Sequence, residues 1–362
     1  MIRRAMTGSG MLLLLTVALA HGQAATPAQP RAAKPATATP APAKPSPRRT
    51  ATAGHVPRTP WGDPDLQGVW DYWTFTPLER PKEYANKPML SDEEHKALLN
   101  KLNGQAATTD TRIAAQGDLG TYSQEVWTER TRETALKQTS LLIQPEDGKI
   151  PPMTPEAKAR EAAEKAAGGH PVRMRSDGVA SDNPEDRGLS ERCLVGFSTG
   201  PPFQPGGYNN NFQIVQTPTY VAIMQEMIHE ARIIPLDNRP RLPERIGLWL
   251  GDSRGRWEGD TLVVETTNYH PLSAFNSYYC CRSAAAHLKI TERFRRVDAN
   301  TIDYRFTVED PSTFTRPFTV DVPMQKTDGP IFEYACHEAN YGLEGILRGA
   351  RADEKRAAGS TK

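Results

Sequence analysis

Glu292 stands in the run LKITERF, where Leu288, Ile290, Glu292 and Phe294 alternate with Lys289, Thr291, Arg293 and Arg295. A period of two places the carboxylate on the apolar face of a strand. If that face points inward, burial raises the carboxyl pKa and suits the group to general acid–base work. The competing reading is a structural ion pair with an arginine such as Arg232 or Arg254. His229 follows the run TYVAIMQEM, with Glu226 three residues before it. On a regular strand these two side chains face opposite ways, whereas a bulge would let them converge. His229 is open to structural, catalytic and metal-ligating roles. The segment EYACHEANYG gathers Tyr334, Cys336, His337, Glu338, Asn340 and Tyr341, either as a reactive cluster or as a helix cap pinned by a disulfide.

A second group lies in GDSRGRWEGD, where Asp252, Arg254, Arg256 and Glu258 surround Trp257. Asp252 and Arg254 could anchor a carboxylate or a sugar hydroxyl, or could be charges pairing with each other about a tight turn. The catalytic expectation is therefore Glu292 acting with His229 or His337, and Glu226 nearby. The expected ligand contacts are Arg232, Asp252, Arg254, Trp257, Tyr334, Asn340 and Tyr341. His229, His270 and His337 near strand ends could bind a metal, but no HExxH or H-x-H spacing supports it and no metal is assigned. No G-x-S-x-G, P-loop or dinucleotide fingerprint is present, so no cofactor is expected.

Those residues need a scaffold, and the second half of the chain supplies its pattern. Strands are expected at 212–217, 219–226, 228–234, 253–258, 261–267, 287–297, 301–309 and 317–325, with a first strand at 68–75 and a short one at 139–145. Gly259-Asp260 and the run from Asp298 to Asn300 are hairpin turns, which imply consecutive antiparallel pairing. Ile302, Tyr304, Phe306 and Val308 share one apolar face, as do Phe318, Val320, Val322 and Met324. Nine strands of this kind predict an antiparallel up-and-down barrel, which removes exposed edges; a two-sheet sandwich gives the same alternation. Before it, Ser91 and Glu94 form a capping box for a helix, Pro155 opens another over 155–167, and 168–210 reads as long ordered loop. Residues 61–210 are thus a helical, loop-rich elaboration that includes the first strand. Residues 211–350 form the meander and a C-terminal helix, and 351–362 a disordered tail.

The N-terminus determines where the protein works. Arg3 and Arg4, the apolar run Met11–Ala20 and small residues after it have the layout of a secretory signal peptide over 1–24. Residues 25–60 hold nine prolines among Ala and Thr, a composition that stays extended and unpacked. The expected location is periplasmic or secreted, with no stable membrane insertion once the signal is cleaved. In such a compartment the four cysteines should pair. Cys193 with Cys336 is the expected bridge, which leaves Cys280 and Cys281 as a strained vicinal pair or as partners to something else; a Cys/His metal site using His337 or His270 lacks CxxC spacing. The net charge of +1 conceals an asymmetry: residues 1–58 carry eight Lys/Arg and no acid, leaving 36 basic and 43 acidic residues beyond. An acidic body excludes a general nucleic-acid binder. A mean hydropathy of −0.59 excludes a multi-pass membrane protein. Nothing here speaks to oligomeric state.

Gly68-Val69-Trp70 at the head of a first strand, followed by a meander and a C-terminal helix, resembles the G-x-W arrangement of lipocalins and their calycin relatives. It departs from them by the roughly 130 residues that intervene before the next strands. WGDPDLQGVW, NNNFQIVQ, MIHEARIIPLD, GDSRGRWEGDTLVVETTNY, TVEDPSTFTRPF and EYACHEANYG together resemble a family of uncharacterised exported bacterial proteins. That resemblance implies secretion and a shared β-rich fold and lends no activity. Two functions follow from the residues: a barrel holding a small apolar or amphipathic molecule in its interior, or a lyase, isomerase or hydrolase using Glu292 with His229 or His337.

Overall fold

A computed structural model describes residues 56–102, 135–166, 181–196, 199–206, 208–273, 287–338 and 340–359. These all fall in one compact unit, Ser46–Lys362. The expected signal peptide, nearly all of the proline-rich segment, and Cys280 and Cys281 lie outside the described residues.

The protein is mainly β, built on an antiparallel sheet of 11 strands. They are β1 (Gly68–Asp71), β2 (Leu142–Gln144), β3 (Asn211–Gln216), β4 (Tyr220–Gln225), β5 (Ala231–Pro235), β6 (Asp252–Glu258), β7 (Thr261–Thr267), β8 (Lys289–Arg296), β9 (Thr301–Glu309), β10 (Phe318–Asp321) and β11 (Met324–Thr327). Pairing runs β5-β4-β3-β1-β11-β9-β8-β7-β6, with β10 joining β9 to β2. Two meanders, β3 to β5 and β6 to β9, are thus joined through β1 and β11. The helices are α1 over the described residues 92–102, α2 (Pro155–Ala166) and α3 (Tyr341–Gly359). The capping box at α1 forms: Ser91 Oγ accepts from the Glu94 amide at 3.2 Å and Glu94 Oε2 from the Ser91 amide at 2.8 Å.

The alternation assigned above holds. Ile290, Glu292 and Phe294 of β8, and Ile302, Tyr304, Phe306 and Val308 of β9, are all buried in the interior. The other face carries ion pairs such as Lys289–Glu309 at 2.8 Å, Arg293–Glu258 at 2.8 Å and Arg295–Asp303 at 3.0 Å. The interior is filled by large side chains, among them Trp70, Tyr72, Phe203, Phe212, Phe294, Tyr304 and Phe306. Phe203 stacks on Phe212 with ring centroids 4.6 Å apart and meets Tyr304 edge-on at 5.6 Å.

Four expectations need correction. The sheet does not close into a barrel, because no ladder joins the end strands β5 and β6. Side chains meet there instead: a Cβ placed on Gly255 of β6 would lie 2.9 Å from Ile234 of β5 and 2.8 Å from Leu236. The strand expected at 317–325 is two, since Pro323 lies between β10 and β11 and has no amide proton to donate. The strand expected from 228 begins at Ala231, because Met227–His229 form a 3-10 turn with φ of 64° at Ile228 and 47° at His229. The first strand stops at Asp71, whose carboxylate accepts the Trp73 amide at 2.9 Å and turns the chain out of the sheet. In addition, α3 continues through residues 351–359, which the composition had assigned to a disordered tail.

Among the described residues no helix is long and apolar enough to cross a membrane. One disulfide joins Cys193 to Cys336, as expected, across a sequence separation of 143.

Candidate functional site

The residues singled out from sequence fall in three separate places. The first is the sheet interior. Glu292 is completely buried and accepts from Arg232 Nη2 at 2.7 Å and from Tyr304 Oη at 2.9 Å. The Tyr304 oxygen in turn accepts the Phe203 amide at 3.1 Å. Arg232 is itself buried, and its Nε and Nη1 have no hydrogen-bond partner among the described residues. Burial, then the neighbouring Glu292 charge, pushes the Tyr304 phenol well above its ordinary pKa, so it remains a donor. The carboxylate thus has an arginine and a tyrosine, not a histidine, as its partners.

The second place surrounds the disulfide. Glu226 is buried and accepts from Asn209 Nδ2 at 2.5 Å, Asn211 Nδ2 at 3.3 Å and the Phe332 amide at 3.3 Å. It ties the turn before β3 to the segment leading into the disulfide. His229 is exposed, and its Nδ1 lies 3.3 Å from the Tyr334 carbonyl oxygen. Tyr334 packs beside Cys336 against Cys193, Met227 and Ile228. Asn340 donates to the Glu191 carbonyl at 2.8 Å and accepts the Leu343 amide at 3.3 Å, which makes it the cap of α3. His337 and Tyr341 are exposed. Here the cluster reads as a helix start pinned by a disulfide.

The third place is the start of β6. Asp252 pairs with Arg254 and accepts the Leu242 amide at 3.0 Å, while Arg254 also donates to the Pro240 carbonyl at 3.0 Å. These charges hold the 236–251 connection against the sheet. Trp257, on the same strand, packs against the main core. His270 stands apart, its ring 4.3 Å from that of Trp249 and its Nδ1 accepting the Leu272 amide at 3.2 Å. Among the described residues no three His, Cys, Asp or Glu side chains group as a metal site requires.

A concave site does exist, where sequence reading placed none. A cavity of about 750 Å³ opens against the core, between the chain at 73–79, the chain at 203–206 with Tyr208, and Phe306, Val320 and Val322. Each wall is anchored by hydrogen bonds. The Leu136 amide donates to Thr76 Oγ1 at 2.7 Å, and the Leu141 and Leu142 amides to the Pro77 and Leu78 carbonyls at 2.8 and 2.9 Å. Opposite, the buried Gln225 accepts the Gly200 amide at 2.6 Å, and Asn210 accepts the Gly206 amide at 2.7 Å. Phe203 is fully buried behind this lining, and its amide is held by the phenol of Tyr304. Trp73 and Phe75 meet edge-on at 4.6 Å on one lip. Phe75 and Tyr208 are 43% and 40% exposed, so the aromatic surface at the mouth is open to solvent. The available signal was the aromatic density of Trp70, Tyr72, Trp73 and Phe75 beside turn formers. It read as strand because alternation was extended past the Asp71 turn.

No family model, no curated protein and no solved structure matches this chain.

Proposed function

We propose that this is an exported protein that binds a small apolar or amphipathic molecule, and that the binding place is the pocket bounded by 73–79, 203–206 and Tyr208 rather than the space the sheet encloses. The carrying observation is the cavity itself: about 750 Å³ with walls that are mostly aromatic and aliphatic, within the range of about 300–1,000 Å³ usual for ligand sites. The filled interior leaves the ligand this site at the edge of the core. Export is supported by the signal-like N-terminus and by the Cys193–Cys336 bridge. Membership of the exported bacterial family rests on the motifs quoted above.

The acid–base alternative has less support. Glu292 spends its hydrogen bonds on Arg232 and Tyr304, and His229 and His337 are both exposed.

The test uses the neutral fluorophore N-phenyl-1-naphthylamine, titrated into the mature protein. Saturable one-to-one binding is expected. Phe75→Ala with Tyr208→Ala, both at exposed positions, should weaken it about tenfold, about 1.4 kcal/mol. Absence of saturable binding, or binding indifferent to both substitutions, would overturn the proposal.

A further inference from the structure

The pocket is not chemically neutral. Among the described residues its lining includes the carboxylate of Glu79 and no lysine, arginine or histidine. Glu79 Oε1 accepts the Ile150 amide at 2.8 Å, which fixes the side chain in place. Glu79 has no basic partner among the described residues, and Oε2 makes no hydrogen bond there. Its neighbour Arg80 is directed elsewhere, donating to Thr139 at 3.2 Å and to the Glu146 carbonyl at 2.7 Å. A carboxylate is thus held beside aromatic walls with no cation among the described residues to neutralise it.

Resting on the reading of this pocket as a ligand site, we infer that it selects an organic cation with an apolar body, such as a hydrophobic amine or quaternary ammonium, with Glu79 as the counter-charge. Three physical terms act together. The apolar body buries against the accessible rings of Trp73, Phe75 and Tyr208, behind which Phe203, Phe306 and Val320 are already packed in the core. The charged head meets a carboxylate in a partly desolvated site, where attraction is stronger than in water. The rings of Trp73, Phe75 and Tyr208 offer the electron-rich faces that attract cations. An anionic head of the same size would meet Glu79 as a like charge with no donor in the lining that carries positive charge. The same geometry that favours the cation therefore disfavours the anion, and selectivity comes from both signs of the interaction.

The experiment compares three probes of one chain length: n-octyltrimethylammonium, 1-octanol and n-octyl sulfate. Each is kept below micelle-forming concentration and displaces N-phenyl-1-naphthylamine from the full mature protein. The cation should bind at least tenfold more tightly than the sulfate, with octanol between them, and added salt should narrow the gap. Glu79→Gln retains the acceptor for the Ile150 amide and should bring the cation to the affinity of octanol. The wild-type ranking needs no variant, so a folding defect in Glu79→Gln would not obscure the answer. Equal affinities, or preference for the sulfate, would overturn cation selectivity while leaving the ligand pocket standing. A cation preference unchanged in Glu79→Gln would overturn the role of Glu79. Failure of the naphthylamine itself to bind would remove the ligand reading, and the cation inference with it.

Discussion

Glu292 shows what burial does to a side chain that looks chemical. Its position on the apolar face was readable from the alternation around it, and so was the possibility of an arginine partner. Which arginine was not readable: Arg232 is 60 residues away in sequence and lies 2.7 Å away in space. His229, Glu226 and Asn340 were legible as polar groups near element ends, but their partners are backbone groups and neighbouring amides that only folding brings close. His270 carries a consequence for pH. Burial holds its pKa below the ordinary value. In the unfolded chain the imidazole takes up a proton near pH 6.5, whereas the folded chain resists it, so the unfolded state binds more protons as the pH falls. Stability is therefore undiminished above about pH 6.5 and declines below it, down to the depressed folded value. Thermal unfolding from pH 8 to pH 5 should show this decline, and His270→Asn, which keeps an acceptor for the Leu272 amide, should flatten it. Parallel profiles for the two proteins would rule His270 out as the source.

At the level of elements, hairpins were the most legible feature. β6 and β7 pair from Asp252–Thr267 to Glu258–Thr261 around Gly259-Asp260, and Gly259 takes a φ of +59°, which glycine alone adopts without strain. Turn chemistry is local, and local signals survive in sequence. The errors came where one residue acts against its neighbours: Pro323 dividing a strand, Asp71 ending one, Ile228 and His229 entering the left-handed region. The disulfide operates at this scale, since it fastens the segment before α3 to the turn at 190–194. Closing a loop of 143 residues restricts the unfolded chain by about 5 kcal/mol on the chain-entropy account. Replacing both partners, Cys193→Ala with Cys336→Ala, should lower the unfolding free energy by an amount of that order in urea titration, and should loosen α3 as read by amide exchange. A change below about 1 kcal/mol would show that the bridge adds little to what packing already holds.

For the whole molecule, the sheet is open at β5 and β6, yet the interior is continuous across that opening. Arg232 on the end strand β5 reaches Glu292 on β8, so one buried ion pair spans the space the sheet curls around. Breaking such a pair leaves a charge buried without compensation and costs about 3–5 kcal/mol, whereas replacing both partners by apolar groups is close to neutral or stabilising. Glu292→Gln should therefore lower stability by about 3 kcal/mol or more in chemical denaturation, and Arg232→Met with Glu292→Leu should recover most of the loss. Because the pair lies outside the pocket lining, the double variant should still bind the naphthylamine. If the double variant is as unstable as the single one, the pair is not what links the two ends of the sheet.

The sequence determined, by itself, the strand-rich class, most strand positions, the inward and outward faces, the capped helix at Ser91 and the choice of Cys193 with Cys336. These are set by periodicity, turn residues and residue counts, which are properties of neighbours along the chain. The tertiary structure alone decided that the sheet stays open, that Glu292 finds Arg232 and Tyr304, and that the chain at 73–79 and the chain at 203–206 with Tyr208 come together as a pocket holding Glu79. Those outcomes depend on contacts between separate segments, 60 residues apart for Arg232 with Glu292 and 101 for the amide of Phe203 with the hydroxyl of Tyr304. Such contacts carry no periodic trace, because the energy that selects them is burial of the whole core rather than the preference of any one segment.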